Sequence, residues 1–566
     1  MTDKAKTLIT DLRCALPAEG WTDTGCHVHD LRPLTQPSGK WQILDYRSER
    51  YAGSLLMTTH PDSAELRIPL SRDGWHAVSI GMVNPWIAHT KVEVRLTGET
   101  HWHLIEGFAP TAHELDTAAS PLHEEPWLIA DLTGRDLEVR YPRNAPRALN
   151  DGGYACICSV RMVPVEEQDL PIVKSRRHRL AVHFCGTLFD YDERFDTSQW
   201  DVVCGNNSNF SDQMAYPSDV GVLNGKGAWD TMSGRHAHFR WQQEALAAMA
   251  VRGEHPLRRA IARAHEHGKK FWLCTRPQLW TAIPPQHQSH RSPFYVAHPE
   301  YRCLEGDGTP ISKLSIAFPE VREQLSKSLR EALEWGADGI TVLFNRGYPL
   351  VRYEKPVADA FQARYGEDVR AVADSDERLH GVWADFATEW MQELRNMLDK
   401  AGPGLAGTRR ELTVFTGPSL EWNLQFGIDV VRWAKDNLVD VVLPYPRHHH
   451  TARLYGEIYD KPDGWVDMAG YVAALRGTGT ALIPSMGHWG DHGLPLARMR
   501  ERAHRFYEEG ATGVCRWDTD VSLALAQLDD PEIQRLWCDR YRPPQENLMA
   551  ELGGLNLTEF PPGIGG

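Results

Sequence analysis

A chain of 566 residues is too long for one ordinary core, and with 42% apolar residues it carries enough material to bury in two or more domains. A formal charge of −15 and a pI near 5.9 argue against a nucleic-acid partner, because phosphate backbones are met with concentrated positive charge. No apolar run is long enough to span a bilayer, and the stretch MTDKAKTLITDLRCALPAEG has neither an apolar signal core nor a small-residue cleavage site, so a cytoplasmic protein with no membrane partner is expected.

Residues 1–170 hold short alternating runs at 64–68, 76–80, 91–96, 137–140 and 154–163, separated by Gly, Pro and Asp. Alternation of this kind marks antiparallel strands with one face on a core. The expected unit is a jelly-roll-like β-sandwich, serving either as a carbohydrate-binding module or as a packing wall. A charged run closed by Pro171 then acts as linker.

From 171 to 542 the pattern changes to apolar runs of four or five residues alternating with amphipathic helices. The runs fall at 180–184, 201–204, 271–275, 340–344, 412–416, 440–443, 481–484 and 513–517, and eight buried parallel strands make a (β/α)8 TIM barrel. Helices are predicted at 256–267, 321–335, 383–399, 429–437 and 497–510, several closed by a glycine suited to a left-handed cap: Gly268, Gly336 and Gly510. The long stretch 205–254 after the second strand reads as a lid or pocket wall, and 543–566 as an irregular surface tail.

Chemistry in a parallel barrel is done where the strands end. There the sequence places His183, Asn206, Arg276, Asn345, Arg346, Glu354, Glu421, Tyr445, His488, Trp489, Trp517 and Asp518. Glycosidic cleavage asks for such a set: two carboxyl groups flanking the bond, aromatic surface for the ring and polar groups for hydroxyls. Glu354, Glu421 and Asp518 are the catalytic candidates; the other nine are substrate-binding candidates. Neither GxxxxGK[ST] nor GxGxxG after the first strand is present, so nucleotide chemistry of those kinds is not expected. The 26 histidines include the run His448-His449-His450 and the pair His236 and His238, but no HExxH helix, and neither a metal nor another cofactor is assigned. The 10 cysteines are scattered, several of them inside strands as small apolar residues.

The segments FNRGYPLVRYEKPV, EWNLQFGIDVVRWAKDNLVDVVLP and GVCRWDTD resemble those of bacterial glycoside-hydrolase-like TIM-barrel proteins of the family-10-like group, which tend to carry an N-terminal β-sandwich. The resemblance covers most of the chain. It implies a glycoside hydrolase, with Arg346, Glu354, Glu421, Asn423 and Asp518 at the matching polar positions. It also marks a departure, because the large barrel clan resembled here ends strand four in Asn-Glu and strand seven in Glu, whereas this chain has Asn345-Arg346 and Ser485-Met486-Gly487-His488. Two alternatives therefore stand beside hydrolysis: a non-hydrolytic carbohydrate-binding barrel, and a metal-dependent hydrolase or lyase acting on a sugar. A carbohydrate is the expected partner in each, and the sequence leaves the oligomeric state open, a homo-oligomer included.

Overall fold

The computed structural model describes residues 7–23, 39–48, 50, 52–83, 90–106, 121–142, 155–185, 199–206, 211–214, 216–223, 248–249, 251–281, 291–346, 348–446, 461, 464–487, 496–517, 525–544, 548–549 and 551–552. Its N-terminal part holds twelve described strands: β1 (Thr7–Ile9), β2 (Trp21–Asp23), β3 (Trp41–Arg47), β4 (Ala52–Thr58), β5 (Leu66–Ile68), β6 (Trp75–Val83), β7 (Lys91–Leu96), β8 (His103–Glu106), β9 (Pro121–Asp131), β10 (Leu137–Arg140), β11 (Ala155–Ile157) and β12 (Ser159–Pro164). They form three sheets, ordered β1-β12-β6-β9, β5-β10-β7-β8 and β11-β4-β3-β2, antiparallel except for the β2–β3 pair. Alternation drives this: in β7, Val92, Val94 and Leu96 turn into the core, while Glu93 on the other face pairs with Arg140 of β10. The chain's end returns here, as β25 (Leu548–Met549) pairs with β9 and β26 (Glu551–Leu552) with β3. The stretch expected to be an irregular tail thus contributes two short strands to these sheets.

The second part is a closed parallel barrel of β13 (Leu180–Cys185), β14 (Val202–Asn206), β17 (Lys270–Thr275), β20 (Gly339–Leu343), β21 (Glu411–Thr416), β22 (Val441–Pro444), β23 (Ala481–Leu482) and β24 (Gly513–Arg516). The last seam is shut by a parallel bridge between Ser485 and Cys515 and by Met486 N–H donating to the Cys515 carbonyl at 2.8 Å. All eight lie within a residue or two of the expected runs. Both faces of each strand are buried, which is why the runs are continuously apolar. Val182, Phe184, Cys204, Trp272, Leu343, Phe415 and Leu443 fill the inside, and the alternating Ala181, Val203, Phe271, Leu273, Val342, Val414 and Val442 face the outer layer. That layer contains α1 (Leu170–Lys174), α2 (Pro256–Glu266), α3 (Pro293–Ala297), α4 (Pro319–Glu334), α5 (Lys355–Tyr365), α6 (Glu377–Lys400), α7 (Leu420–Leu424), α8 (Val430–Lys435), α9 (Met468–Leu475), α10 (Leu496–Glu508) and α11 (Pro531–Leu536). The three expected cap glycines all have positive φ.

The base of the barrel is plugged by Trp272, whose indole N–H donates to Glu411 at 2.8 Å; a Cβ on Gly339 would come within 2.7 Å of that ring, so the large residue needs the small one opposite. Below the plug, every second strand is preceded by a residue whose side chain grips the strand before it. Asp201 accepts from Ala181 N–H at 2.7 Å, Asp338 from Phe271 N–H at 2.8 Å, Asp440 from Leu412 N–H at 2.7 Å, and Thr512 Oγ1 from Leu482 N–H at 2.9 Å. Four clasps of one kind thus join the strands two by two. They satisfy amide donors at the starts of the strands that would otherwise lie without this partner.

One apolar cluster runs through both parts, taking in Trp127 and Leu128 of β9 together with Ala181 and Trp200 of the barrel. The joint is polar as well. Trp127 N–H donates to Nδ1 of His103 at 2.8 Å, burial brings that imidazole's pKa down to about 4, so it is neutral, and its Nε2 lies 3.0 Å from the side-chain nitrogen of Gln199. No helix among the described residues is long and apolar enough to cross a membrane.

Candidate active site at the mouth of the barrel

Where the strands end, four inward aromatic rings close the barrel from above. Phe184 and Trp517 stack at 4.1 Å, and Phe415 and Tyr445 meet Trp517 edge-on at 4.8 and 4.9 Å. Offset stacking and edge-to-face contact are the favoured geometries of such rings, and together they give a rigid apolar floor. Tyr445 and Trp517, two of the expected binding residues, are therefore parts of this floor, 3% and 2% exposed.

The polar side comes from strands β17 and β20. Arg276 directly follows β17, and Asn345 lies in the 3-10 turn Phe344–Arg346 that follows β20, at the C-terminal ends of two neighbouring strands. Arg276 is buried, and its carbonyl accepts the Ser211 hydroxyl at 2.8 Å. Asn345 is 3% exposed, and among the described residues neither its Nδ2 nor its Oδ1 has a hydrogen-bond partner. A buried carboxamide left unpaired costs the fold about 1–3 kcal/mol, which is the kind of expense found where a ligand completes the bonding.

Strand β21 ends in a frame of its own. Asn423 accepts from Gly417 N–H and donates to the Tyr471 hydroxyl, both at 2.7 Å, and that hydroxyl donates to the Gly417 carbonyl. Asn423, a matching position in the resemblance, is thus fully engaged in holding the strand end. Trp422 lies over Gly417 and meets Tyr348 at 4.7 Å and Phe426 at 5.1 Å. A Cβ on Gly417 would fall 1.9 Å from the Trp422 ring. Gly417→Ala should therefore displace the indole and lower stability by about 1–3 kcal/mol, seen as a lower denaturant midpoint with an unchanged m-value.

The carboxylates differ in setting. Glu354, directly before α5, is 1% exposed; it accepts from Arg352 N–H at 2.7 Å and is bonded by Ser315 and Cys303. Burial pushes its pKa up against the pull of those bonds, the condition that suits a carboxyl to giving a proton. It sits where two loops are sewn together: Gln278 Nε2 donates to Leu314 O at 2.7 Å and Leu350 O at 3.2 Å, and Tyr353 N–H to Leu304 O at 3.1 Å. The Arg352 guanidinium, a conceivable partner for Glu354, is bound instead by Glu305 and Asp374 at 2.5 and 2.8 Å. Glu421 is solvent-exposed in the first turn of α7, whose cap is Ser419, bonded to Trp422 N–H at 3.2 Å.

His183 stands apart from the other expected residues. It alternates with inward Val182 and Phe184, so it faces outward, fully buried, with its ring 5.4 Å from Trp200. The structure does not bring it to the mouth. The side chains of Asn206 and Arg346, and all of His488, Trp489 and Asp518, lie outside the described residues, as do His236, His238 and His448 to His450. Among the described residues no group of three His, Cys, Asp or Glu side chains is placed to hold a metal ion. One nearby group escaped sequence reasoning: Lys313, between β18 (Arg302–Leu304) and the barrel on β19 (Pro310–Leu314), donates to the Gln278 carbonyl at 2.8 Å, and burial brings its pKa down to about 8. A single lysine in the polar run PISKL gives no signal of this.

Fold and site together define a closed parallel eight-stranded α/β barrel whose C-terminal mouth joins an aromatic floor to buried polar groups. No family model and no curated protein matches the chain. Solved structures that it resembles include an α-galactosidase from Thermus thermophilus (12% identity, TM-score 0.34, covering 89% of this chain and 96% of that one). Others are the PgaB (BpsB) glycoside hydrolase domain from Bordetella bronchiseptica (13%, TM-score 0.39, 64% and 98%) and α-L-fucosidase isoenzyme 2 from Paenibacillus thiaminolyticus (11%, TM-score 0.39, 64% and 51%). Likeness at this level assigns no activity to the chain.

Proposed function

We propose that the protein is a glycoside hydrolase acting on an oligosaccharide or glycoside at the C-terminal mouth of the barrel. The observation that supports this reading is the buried carboxamide of Asn345, without a hydrogen-bond partner among the described residues, at the same end of the barrel as the packed rings of Phe184, Phe415, Tyr445 and Trp517: a donor and an acceptor for a hydroxyl over a rigid apolar base. Glu354, its pKa raised by burial, suits proton donation to a leaving oxygen; Glu421 and Asp518 are the candidates for the ionised partner. Retention needs the two carboxyl groups about 5–5.5 Å apart, inversion about 6.5–9.5 Å. The N-terminal sheets are read as a β-sandwich walling the barrel, and the protein as cytoplasmic.

The second reading, a sugar-binding barrel without hydrolysis, draws on the absence of glutamate after Asn345 and at the end of the seventh strand. Turnover separates the two. A panel of aryl glycosides and natural oligosaccharides should show product release that falls by at least about a hundredfold in Glu354→Gln if that carboxyl is the proton donor. Thermal stabilisation by a sugar with no product from any member of the panel would replace the hydrolase with the binder. Activity abolished by a chelator and restored by a metal would favour the metal-dependent alternative.

Arg346, in the position where the resemblance would place an acid, supplies a further test. Arg346→Lys should lower kcat with little change in KM if the guanidinium orients a catalytic carboxylate, and should raise KM if it grips an acidic sugar. Unchanged kinetics would make it part of the frame.

A further inference from the structure

The carboxyl of Glu354 stands where three separate stretches of chain meet, and one neighbouring residue ties all three together. Glu354 accepts from the N–H of Arg352 at 2.7 and 3.1 Å, so the aim of its carboxylate depends on where that one amide points. The same residue is held at its other end. Its Nη2 lies 2.5 Å from Glu305, in the turn between β18 and β19, and 2.8 Å from Asp374, in the stretch between α5 and α6. Its carbonyl accepts the indole N–H of Trp383 of α6 at 2.8 Å, and the guanidinium lies 5.5 Å from the centre of that ring and 5.4 Å from the centre of Tyr353.

The two outer acids are themselves fixed. Glu305 N–H donates to Thr309 O at 2.9 Å and Gly308 N–H to Glu305 O at 2.8 Å, closing the hairpin turn. Asp374 accepts the Tyr353 hydroxyl, and its carbonyl lies 2.7 Å from Nε2 of His380. Other groups face Glu354, but they reach it directly: the Ser315 hydroxyl and the Cys303 thiol bond to its carboxyl. Lys313, the charged neighbour of Cys303, is bound to the Gln278 carbonyl at 2.8 Å, and Lys355 is paired with Asp359 at 2.6 Å. Arg352 alone joins the carboxyl to side chains of two other loops.

On the reading that Glu354 gives the proton, we propose that Arg352 is its positioning residue: Glu305 and Asp374 hold the guanidinium, the side chain holds the main chain, and the main-chain amide aims the carboxyl. Two acids at the surface, 39% and 62% exposed, thus act on the proton donor without touching it. A simple staple between loops would affect stability and leave Glu354 as it is. An amide that bonds a carboxylate favours its ionised form, so release of the amide must show in the titration of Glu354.

The double variant Glu305→Ala, Asp374→Ala releases the guanidinium and keeps Arg352 itself. Removing two negative charges nearby lowers a carboxyl's pKa, whereas loosening an amide bond to it raises that pKa, so the two causes have opposite signs. Infrared titration of the full-length protein, reading the carboxyl band that Glu354→Gln removes, should place the Glu354 transition about half a pH unit or more higher in the double variant, and higher also in Arg352→Met. All three substitutions together should move it no further than Arg352→Met alone, because they cut one chain of contacts. On a sugar that the native protein turns over, kcat should fall about tenfold with little change in KM, and the alkaline limb of the pH profile should rise with the titration. A transition that stays in place or moves down in the double variant would overturn the proposal, and so would an unmoved one in Arg352→Met if the double variant does not fold. The upward shift without turnover of any sugar would sustain the positioning and remove the hydrolase reading instead.

Discussion

Replacing Asp338 by alanine should cost about 3–5 kcal/mol, the largest loss expected from any single side chain at the base of the barrel. The carboxylate accepts from Phe271 N–H and His265 Nε2, each at 2.8 Å, and from Leu405 N–H at 2.6 Å, and it is 1% exposed. Alanine leaves the buried Phe271 N–H and the half-buried Leu405 N–H without this acceptor and takes a hydrogen-bond partner from the His265 ring, and an orphaned buried donor alone costs about 1–3 kcal/mol. Asp338→Asn keeps one acceptor oxygen and should lose roughly half as much. Calorimetry and urea titration check both; a loss under 1 kcal/mol for the alanine variant would mean that the clasp is dispensable.

Asn345→Leu should do two opposite things. It removes an unpaired carboxamide from a buried position and so should raise stability by roughly 1 kcal/mol or more, while lowering kcat/KM by about 10- to 100-fold, the worth of one or two hydrogen bonds to a substrate. The combination is the informative result. A stabilised variant with full activity would show that the amide does not meet the substrate, and a destabilised one that the carboxamide has a partner in solution.

Much of the frame was legible because its causes are local. A run such as Ile340 to Phe344 is apolar on both faces, and helices end where a glycine permits a left-handed cap. The sequence also marked Arg276, Asn345, Tyr445 and Trp517, since strand ends and residue type together are enough to nominate them. What it could not reveal depended on direction or on distant neighbours. His183 differs from the mouth residues only in parity, and a shift of one position turns a side chain from the interior to the outer layer. The burial of Glu354 comes from Ser315 and Cys303, about forty and fifty residues earlier in the chain. Asp201, Asp338 and Asp440 look like ordinary turn residues until the preceding strand is laid beside them. Asn423 reads as a candidate ligand because its partners, Gly417 and Tyr471, are brought to it only by the fold.

The clasps also bear on how such a molecule can change. Asp338 stands just before β20 and Asn345 just after it, so the five residues of the strand, about 17 Å at the rise of a β-strand, lie between anchor and mouth. The anchors and the mouth are therefore joined by one strand and share no side-chain contact among the described residues. Substitutions that retune acidity or recognition at the strand ends leave the four anchors unaltered, and loops of another length can be carried by the same eight strands. A lineage of this design can explore new ligands at one end of its barrel while heredity at the other end preserves the fold.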